Sequence, residues 1–186
     1  MKRTAVVLFA GDARREEAQK GLPARFLATL HERLKRMIRS FEVDLLIADE
    51  IVAAASLDVK IEQAFAATFA KGYERVIILA GDIVLPRAIL QRAIESRDTL
   101  IGRTRDGGFY VLACNERPSI DWSSLSCDDV AKQLDCERLP ELRDVDSLDD
   151  ARIVAPDLVP RIELPPCHRA TQQLSNPNTH LRAPPA

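Results

Sequence analysis

The segment Arg75–Leu79 (RVIIL) constrains the fold more than any other, because its four apolar residues follow one another without polar alternation. A run of this kind predicts a strand that is covered on both faces, as in the middle of a parallel sheet. Thr4–Phe9 (TAVVLF) has the same character and is followed by Gly11, and Val43–Ile47 predicts a further strand. We therefore expect several buried parallel strands with helices packed on them.

Three stretches between and after these strands have apolar residues at helical spacing. The apolar positions are Phe26, Leu30, Leu34 and Met37 in the first stretch, Ile61, Phe65 and Phe69 in the second, and Ile89, Leu90, Ala93 and Ile94 in the third. Gly72 is placed to end the second helix, and Pro86 suits the first turn of the third. Gly11–Ala24 is rich in charged residues and has no apolar periodicity, so it predicts a surface loop.

The pattern changes in the second half of the chain. Thr99–Gly102 and Phe109–Cys114 are apolar runs joined by a short link, which favours an antiparallel hairpin. Two short helices are predicted where a serine precedes an acid at capping-box spacing, at Ser126 with Asp129 and at Ser147 with Asp150. The whole pattern predicts an α/β domain whose sheet is mostly parallel with an antiparallel portion.

Length and charge limit the classes of function. The 186 residues are about the length of one domain. The 26 basic and 28 acidic side chains nearly cancel, which argues against a nucleic-acid-binding protein. The apolar stretch Ala5–Ala10 is far shorter than the ~20 residues of a membrane span, so we expect no membrane span and a cytoplasmic protein.

The composition changes after Val154, where most of the 11 prolines lie. We predict one domain over residues 1–155 and a Pro-rich segment over residues 156–186. The lack of apolar periodicity in Pro165–Ala186 favours a flexible tail. An arm that wraps around the domain or around a partner is the alternative.

The loop after the first strand is a candidate phosphate site. Ligands collect at the carboxyl ends of strands in an open parallel sheet. Gly11 lets backbone amides approach an anion, and Arg14 or Lys20 would neutralise a phosphate. A solvated charged loop would have the same composition and remains the alternative.

Acidic residues follow the third strand and recur near the end of the domain. Asp82 comes directly after Gly81, and one carboxylate plus substrate phosphates is a typical magnesium arrangement. Asp144 and Asp146 point the same way if their segment is extended, so they could share a cation with Asp82. Turn formation and helix capping are the alternative explanations for these acids.

The link between the two hairpin strands ends in Asp106-Gly107-Gly108. The bare backbone of the two glycines would let a sugar or a ribose lie close, although a plain hairpin turn needs the same residues. Asp106 is our candidate for a general base, since no other residue near the predicted site stands out in that role.

These segments occur in the order found in one family. They are the opening strand with its charged loop, Gly72–Asp82 (GYERVIILAGD), Asp106–Tyr110 (DGGFY), Trp122-Ser123 and Asp144–Asp150 (DVDSLDD). Over about residues 2–153 the chain resembles the bacterial glycosyltransferase-like, radical-SAM/selenodomain-associated transferases. That family has the three-layer GT-A fold of nucleotide-diphospho-sugar transferases.

The resemblance implies a transferase that acts on a nucleotide-activated sugar and depends on Mg²⁺ or Mn²⁺. The nucleotide would lie over the first loop, with Arg14 and Lys20 on its phosphates. Asp82 would be one metal ligand, and the second would come from Asp144 or Asp146. The ion would neutralise the diphosphate and stabilise charge on the leaving group.

The chain departs from the family in the first loop, where a Lys-Thr-Arg-Leu element is usual and Gln19-Lys20-Gly21-Leu22 stands here. Lys20, shifted by one position, would substitute for the expected lysine. The loss of basic residues leaves two alternatives open. One is a nucleotidyltransferase of the molybdopterin or phospholactate type, and the other is a member of the fold that binds a nucleotide or a protein without catalysis. Donor sugar, acceptor and oligomeric state do not follow from the sequence.

Overall fold

The computed structural model describes residues 3–53 and 56–159. Its strands are β1 (Thr4–Phe9), β2 (Asp44–Ile47), β3 (Arg75–Ala80), β4 (Thr99–Thr104), β5 (Phe109–Cys114) and β6 (Cys136–Leu142). Its helices are α1 (Ala13–Lys20), α2 (Phe26–Ile38), α3 (Ala48–Ile51), α4 (Leu57–Ala70), α5 (Arg87–Glu95), α6 (Cys127–Gln133) and α7 (Leu148–Val154). Within the described ranges, no helix combines the length and the apolar character needed to cross a bilayer. Nearly all of the predicted tail, residues 160–186, lies outside them and stays a prediction.

The strands of the described residues form one sheet in the order β2-β1-β3-β5-β4-β6. β1 is parallel to β2 and β3, and β4 is parallel to β6. β5 is antiparallel to both of its neighbours, β3 and β4, so it alone runs against the other strands of this sheet. The predicted α/β architecture, a mostly parallel sheet with an antiparallel hairpin, is therefore confirmed.

Helices cover both faces of the sheet, and alternate strand residues pack into two cores. On β3, Val76 and Ile78 belong to one core, whereas Ile77 and Leu79 belong to the other. The first core includes side chains of α4, and the second includes side chains of α2 and α5. Burial on both faces explains why Arg75–Leu79 shows no polar alternation.

The prediction of a surface loop over Gly11–Ala24 is wrong, because α1 occupies the middle of this segment. Asp12 caps the helix through its side chain, which accepts hydrogen bonds from the backbone N–H groups of Arg14 and Arg15. Gly21 ends the helix in the left-handed region at φ 63°. Apolar periodicity is missing because the helix is mostly charged and lies largely at the surface.

The second half of the domain contains one strand that the sequence did not reveal. β6 lies at the edge of the sheet and exposes most of its side chains, so it carries no buried apolar run. The two predicted short helices are confirmed as α6 and α7. Ser126 accepts a hydrogen bond from the N–H of Asp129, and Ser147 accepts one from the N–H of Asp150.

A third, smaller core lies between α2 and α7, beside the end of α1. Leu27 and Leu30 of α2 pack there with Ala151 of α7 and with Val145, which is fully buried. Burial of Val145 fixes the extended residues on either side of it next to α1. This core therefore determines where Asp144 and Asp146 lie.

Candidate active site

A cavity with a volume of about 510 Å³ opens at the carboxyl ends of β1 and β3. This volume lies within the range of small-molecule sites. Its polar lining consists of Glu16, Lys20, Asp82, Thr104, Asp106 and Asp144. Its apolar lining includes Phe9, Leu57, Ile61, Ile78, Phe109 and Leu125. One cavity is thus lined both by charged side chains and by apolar side chains that suit a flat or apolar group.

Backbone contacts bring the two acidic segments together. The N–H of Val145 donates to the carbonyl of Asp82 at 2.9 Å, and Ile83 pairs with Asp144 in an antiparallel bridge. The side chains of Asp82 and Asp146 then lie close enough to contact the same ammonium group. The structure therefore brings together these segments, which are far apart in the sequence.

That ammonium group belongs to Lys20, the last residue of α1. Its Nζ lies 2.7 Å from Asp82 Oδ2, 2.9 Å from Asp146 Oδ1 and 2.9 Å from the carbonyl oxygen of Val145. Burial works to lower the pKa of Lys20, but the two carboxylates outweigh it, and the pKa is raised. Lys20, the predicted phosphate contact, is thus a charged group that neutralises two acids at the cavity wall.

Three carboxylates form a compact cluster beside this ion pair. Asp106, Asp144 and Asp146 each offer an oxygen, and these three atoms lie within 4.8 Å of one another. Burial, together with the charges of Asp146 and Asp106, raises the pKa of Asp144 to about 6. Oxygen donors suit a hard divalent cation, and such an ion would relieve the repulsion within the cluster. These residues therefore fit Mg²⁺ or Mn²⁺.

Asp82 is not a member of this cluster, whereas Asp106 is. The hydroxyl of Thr104 and the N–H of Gly108 both donate to Asp106 Oδ1, and these hydrogen bonds lower its pKa. A carboxylate with a lowered pKa is a weak base and a good cation ligand. The geometry accordingly favours a ligand role for Asp106, and its predicted role as general base stays a prediction.

Only some of the other residues predicted to bind the substrate line the cavity. Gly81 and Gly108 line the cavity, whereas Gly11, Gly107 and Arg14 do not. Arg14 is exposed on α1, so its proposed phosphate contact has no support from the geometry. Gly107 has a φ of 100°, and the hairpin turn needs a glycine here because other residues rarely adopt this conformation.

Gly81 is needed for packing beneath the site. A Cβ there would lie 2.6 Å from the carbonyl oxygen of Phe9 and 2.9 Å from His31 Nε2. His31 is buried, and burial lowers its pKa. Gly81 thus lets the loop that carries Asp82 lie directly against β1 and α2.

Sequence reasoning missed Glu16, Thr104 and the apolar wall of the cavity. Glu16 precedes Lys20 by one helical turn. That the two residues lie on the same side of the chain can be predicted only if α1 is recognised as a helix. The capping position of Asp12 and the glycine at position 21 were the signals for that helix.

The α/β fold matches the nucleotide-diphospho-sugar transferase fold. A crystal structure of a candidate nucleotide-diphospho-sugar transferase from Desulfovibrio desulfuricans G20 superposes with a TM-score of 0.63 at 18% identity, covering 82% of this chain and 86% of that chain. The inositol-1-phosphate CTP transferase from T. maritima superposes with a TM-score of 0.43 at 11% identity, covering 80% of this chain and 91% of that chain.

The family follows from the sequence itself. Residues 16–124 match the family described as uncharacterized protein conserved in bacteria (DUF2064), and the chain belongs to that family. No protein with a curated description matches the sequence. The association with radical-SAM and selenodomain proteins and the cytoplasmic location stay predictions.

Proposed function

We propose that this protein is a metal-dependent transferase that acts on a nucleotide-activated sugar. The observation that carries the proposal is the cluster of Asp106, Asp144 and Asp146 oxygens within 4.8 Å of one another, of which Asp106 and Asp144 line a cavity that is also lined by apolar side chains. The fold shared with the Desulfovibrio protein supports it. A nucleotide sugar has the matching parts, namely a diphosphate that needs cations and a base that needs an apolar surface.

Asp106, Asp144 and Asp146 would hold the Mg²⁺ or Mn²⁺ ion. When bound, the ion neutralises the diphosphate and so makes it a better leaving group. Asp82 contributes by holding the Lys20 ammonium beside the cluster. Lys20 would add a second positive charge on the diphosphate, because it already lies at this wall of the cavity.

The hairpin turn would bind the sugar. Gly108 lines the cavity next to Asp106, and a Cβ on it would lie 3.0 Å from Thr104 Oγ1. The open backbone at Gly108 would allow a sugar ring to lie against it. Phe109 follows directly and would give the ring an apolar face to rest on.

Thermal unfolding with UDP-, GDP- and CDP-sugars, each with and without Mn²⁺, tests the proposal. We expect at least one nucleotide sugar to raise the melting temperature only when Mn²⁺ is present, since a ligand that binds the native state stabilises it. Asp144→Asn removes a proposed ligand and should abolish this effect. Asp149→Asn, which changes an exposed acid on α7, is the matched control.

A nucleotidyltransferase and a protein that binds without catalysis would give other results in the same unfolding experiment. Stabilisation by free nucleoside triphosphates but not by nucleotide sugars would favour a nucleotidyltransferase. Stabilisation that is the same with and without Mn²⁺, or that persists in Asp144→Asn, would favour binding without metal-dependent catalysis. No stabilisation by any nucleotide would contradict the proposed function.

A further inference from the structure

Glu16 lies in the cavity in a position that the proposed function does not use. It stands on α1, four residues before Lys20, and it lines the cavity. Its Oε1 lies 2.2 Å from the point where a Cβ of residue 11 would stand. The carboxylate therefore fits over the end of β1 because residue 11 is a glycine.

The Glu16 carboxylate lacks a hydrogen-bond donor among the described residues. Its neighbour Glu17, by contrast, accepts hydrogen bonds from the N–H groups of Arg25 at 2.9 Å and Ala28 at 3.3 Å. Burial raises the pKa of Glu16, and the positive charge of Lys20 only partly offsets this. Glu16 is thus a half-buried acceptor whose hydrogen-bonding capacity is left for a ligand.

The surroundings of Glu16 decide which ligand group would bind there. Among the described residues, Lys20 is the one positive charge that acts on Glu16, but it is paired with Asp82 and Asp146. Asp82, Asp12 and Asp49 act on Glu16 as like charges. This corner of the cavity is therefore less suited to a phosphate than to a neutral group. A hydroxyl group is neutral and can donate to a carboxylate. The corner is therefore suited to a part of the ligand that carries hydroxyl groups.

The distance between Glu16 and Lys20 indicates which hydroxyl-bearing part of the ligand would lie beside Glu16. Residues four apart on a helix are separated by about one turn of ~5.4 Å. In a nucleotide sugar the ribose and the sugar flank the diphosphate. Because the sugar is placed at the hairpin turn, a diphosphate at Lys20 would bring the ribose to Glu16. A carboxylate that binds ribose hydroxyls is a recurrent solution in nucleotide-binding α/β proteins.

We propose that Glu16 is a specificity-determining residue that accepts hydrogen bonds from the ribose 2′- and 3′-hydroxyls of the nucleotide. The proposal rests on the proposed function, since it assumes a nucleotide with its diphosphate at Lys20. It restricts the substrate class to ribonucleotide sugars. A site that provides hydrogen bonds for hydroxyl groups discriminates strongly against a ligand that lacks them.

Calorimetric titration in the presence of Mn²⁺ tests this, with UDP, GDP and CDP and the 2′,3′-dideoxy form of each. For the nucleotide that binds most tightly, we expect the native protein to prefer the ribose form by about 10-fold or more. Glu16→Ala should bind both forms equally, with an affinity close to that of the native protein for the dideoxy form. Glu16→Gln keeps one acceptor oxygen and should retain part of the preference.

Arg15→Ala, an exposed change on the same helix, is the control and should keep the full preference. Equal binding of ribose and dideoxy forms by the native protein would overturn the role of Glu16 and leave the proposed function standing. An equal loss of affinity for both forms in Glu16→Ala and Glu16→Gln would also overturn it. If none of the nucleotides binds, both proposals are wrong.

Discussion

Two basic side chains lie at opposite ends of the sheet, and they are held in different ways. Arg75 begins β3 and is 2% exposed. Its guanidinium donates to the carbonyl of Ala93 at 2.6 Å, to Asn115 Oδ1 at 2.8 Å and to the carbonyl of Asp98 at 3.1 Å. Lys20 lies at the end where β3 finishes, and it contacts two carboxylates instead.

The two pKa shifts have opposite signs for this reason. Burial lowers the pKa of Arg75, because its hydrogen-bond partners are neutral. The pKa of Lys20 is raised despite burial, because Asp82 and Asp146 carry negative charge. A cation held by neutral acceptors serves the fold, whereas a cation held by acids at a cavity wall can exchange partners with a ligand. Arg75 thus lies at a structural end of β3, and Lys20 lies at the end that carries the candidate site.

The largest effect on stability is expected from Arg75→Met. The change leaves the carbonyls of Ala93 and Asp98 without a donor, so the free energy of unfolding should fall by about 3 kcal/mol. Urea denaturation measures this. Arg97→Met, an exposed change nearby, should alter it by less than about 0.5 kcal/mol. A similarly small effect of Arg75→Met would contradict the structural role of Arg75 and so its contrast with Lys20.

The next effect concerns Lys20→Met. We expect the affinity for a nucleoside diphosphate to fall about 10-fold, because a charge-assisted contact is lost. The free energy of unfolding should change by only about 1 kcal/mol, since Lys20 and its acidic partners are part-exposed. Calorimetric titration and urea denaturation of the same sample give both values. A stability loss as large as that of Arg75→Met would make Lys20 a structural residue as well.

The pH dependence of Asp144→Asn is the third test. The folded pKa of Asp144 is about 6, raised from 3.8, so the native state binds this proton more tightly than the unfolded state does. The contribution of Asp144 to stability therefore falls as the pH rises through this interval, and it is lost above about 6. Asparagine does not titrate, so this pH-dependent term is absent in Asp144→Asn. The variant should be more stable than the native protein at neutral pH by about 1 kcal/mol after solvent screening.

Urea denaturation at several pH values, with a chelator present, measures this difference. Asp149→Asn serves as the control, because its side chain is 84% exposed and lies outside the cluster. If Asp144→Asn is less stable than the native protein at neutral pH, the carboxylate is stabilising and the cluster is not under repulsion.

The smallest effect on stability is expected from Glu17→Gln, at a residue that adjoins Glu16 but serves the fold. It caps α2 from α1, where Arg25 supplies no side-chain cap of its own. Glu17→Ala should lower the free energy of unfolding by about 1 kcal/mol, and Glu17→Gln by about 0.5 kcal/mol because the amide oxygen still accepts. Neither change should alter the preference for a ribose nucleotide. A lost preference would show that Glu16 is not the residue that determines it.

The sequence predicts those parts of the fold in which burial leaves a pattern. Thr4–Phe9 and Arg75–Leu79 are buried on both faces, so their apolar runs identify central strands. α1 and β6 were missed for the opposite reason, since their side chains are charged or exposed and carry little periodicity. Elements whose stability comes from caps and neighbours are harder to predict than elements that form the core.

The same contrast applies to the site. The sequence analysis predicted that Asp82 meets Asp144 and Asp146, because Asp82 follows a buried strand and Asp144 and Asp146 point the same way in an extended segment. The ion pair between Lys20 and Asp82 could not be predicted, since it depends on α1 and joins residues far apart in the chain. The cluster position of Asp106 depends likewise on the turn that follows β4, where Thr104 orients it.

Titration of the protein with Mn²⁺, followed by electron paramagnetic resonance, tests the central claim most directly. We expect one bound ion, with affinity at least about 10-fold weaker in Asp144→Asn and Asp146→Asn and unchanged in Asp149→Asn. Equal affinity in all four proteins, or no binding at any of them, would contradict the claim that these carboxylates form a cation site.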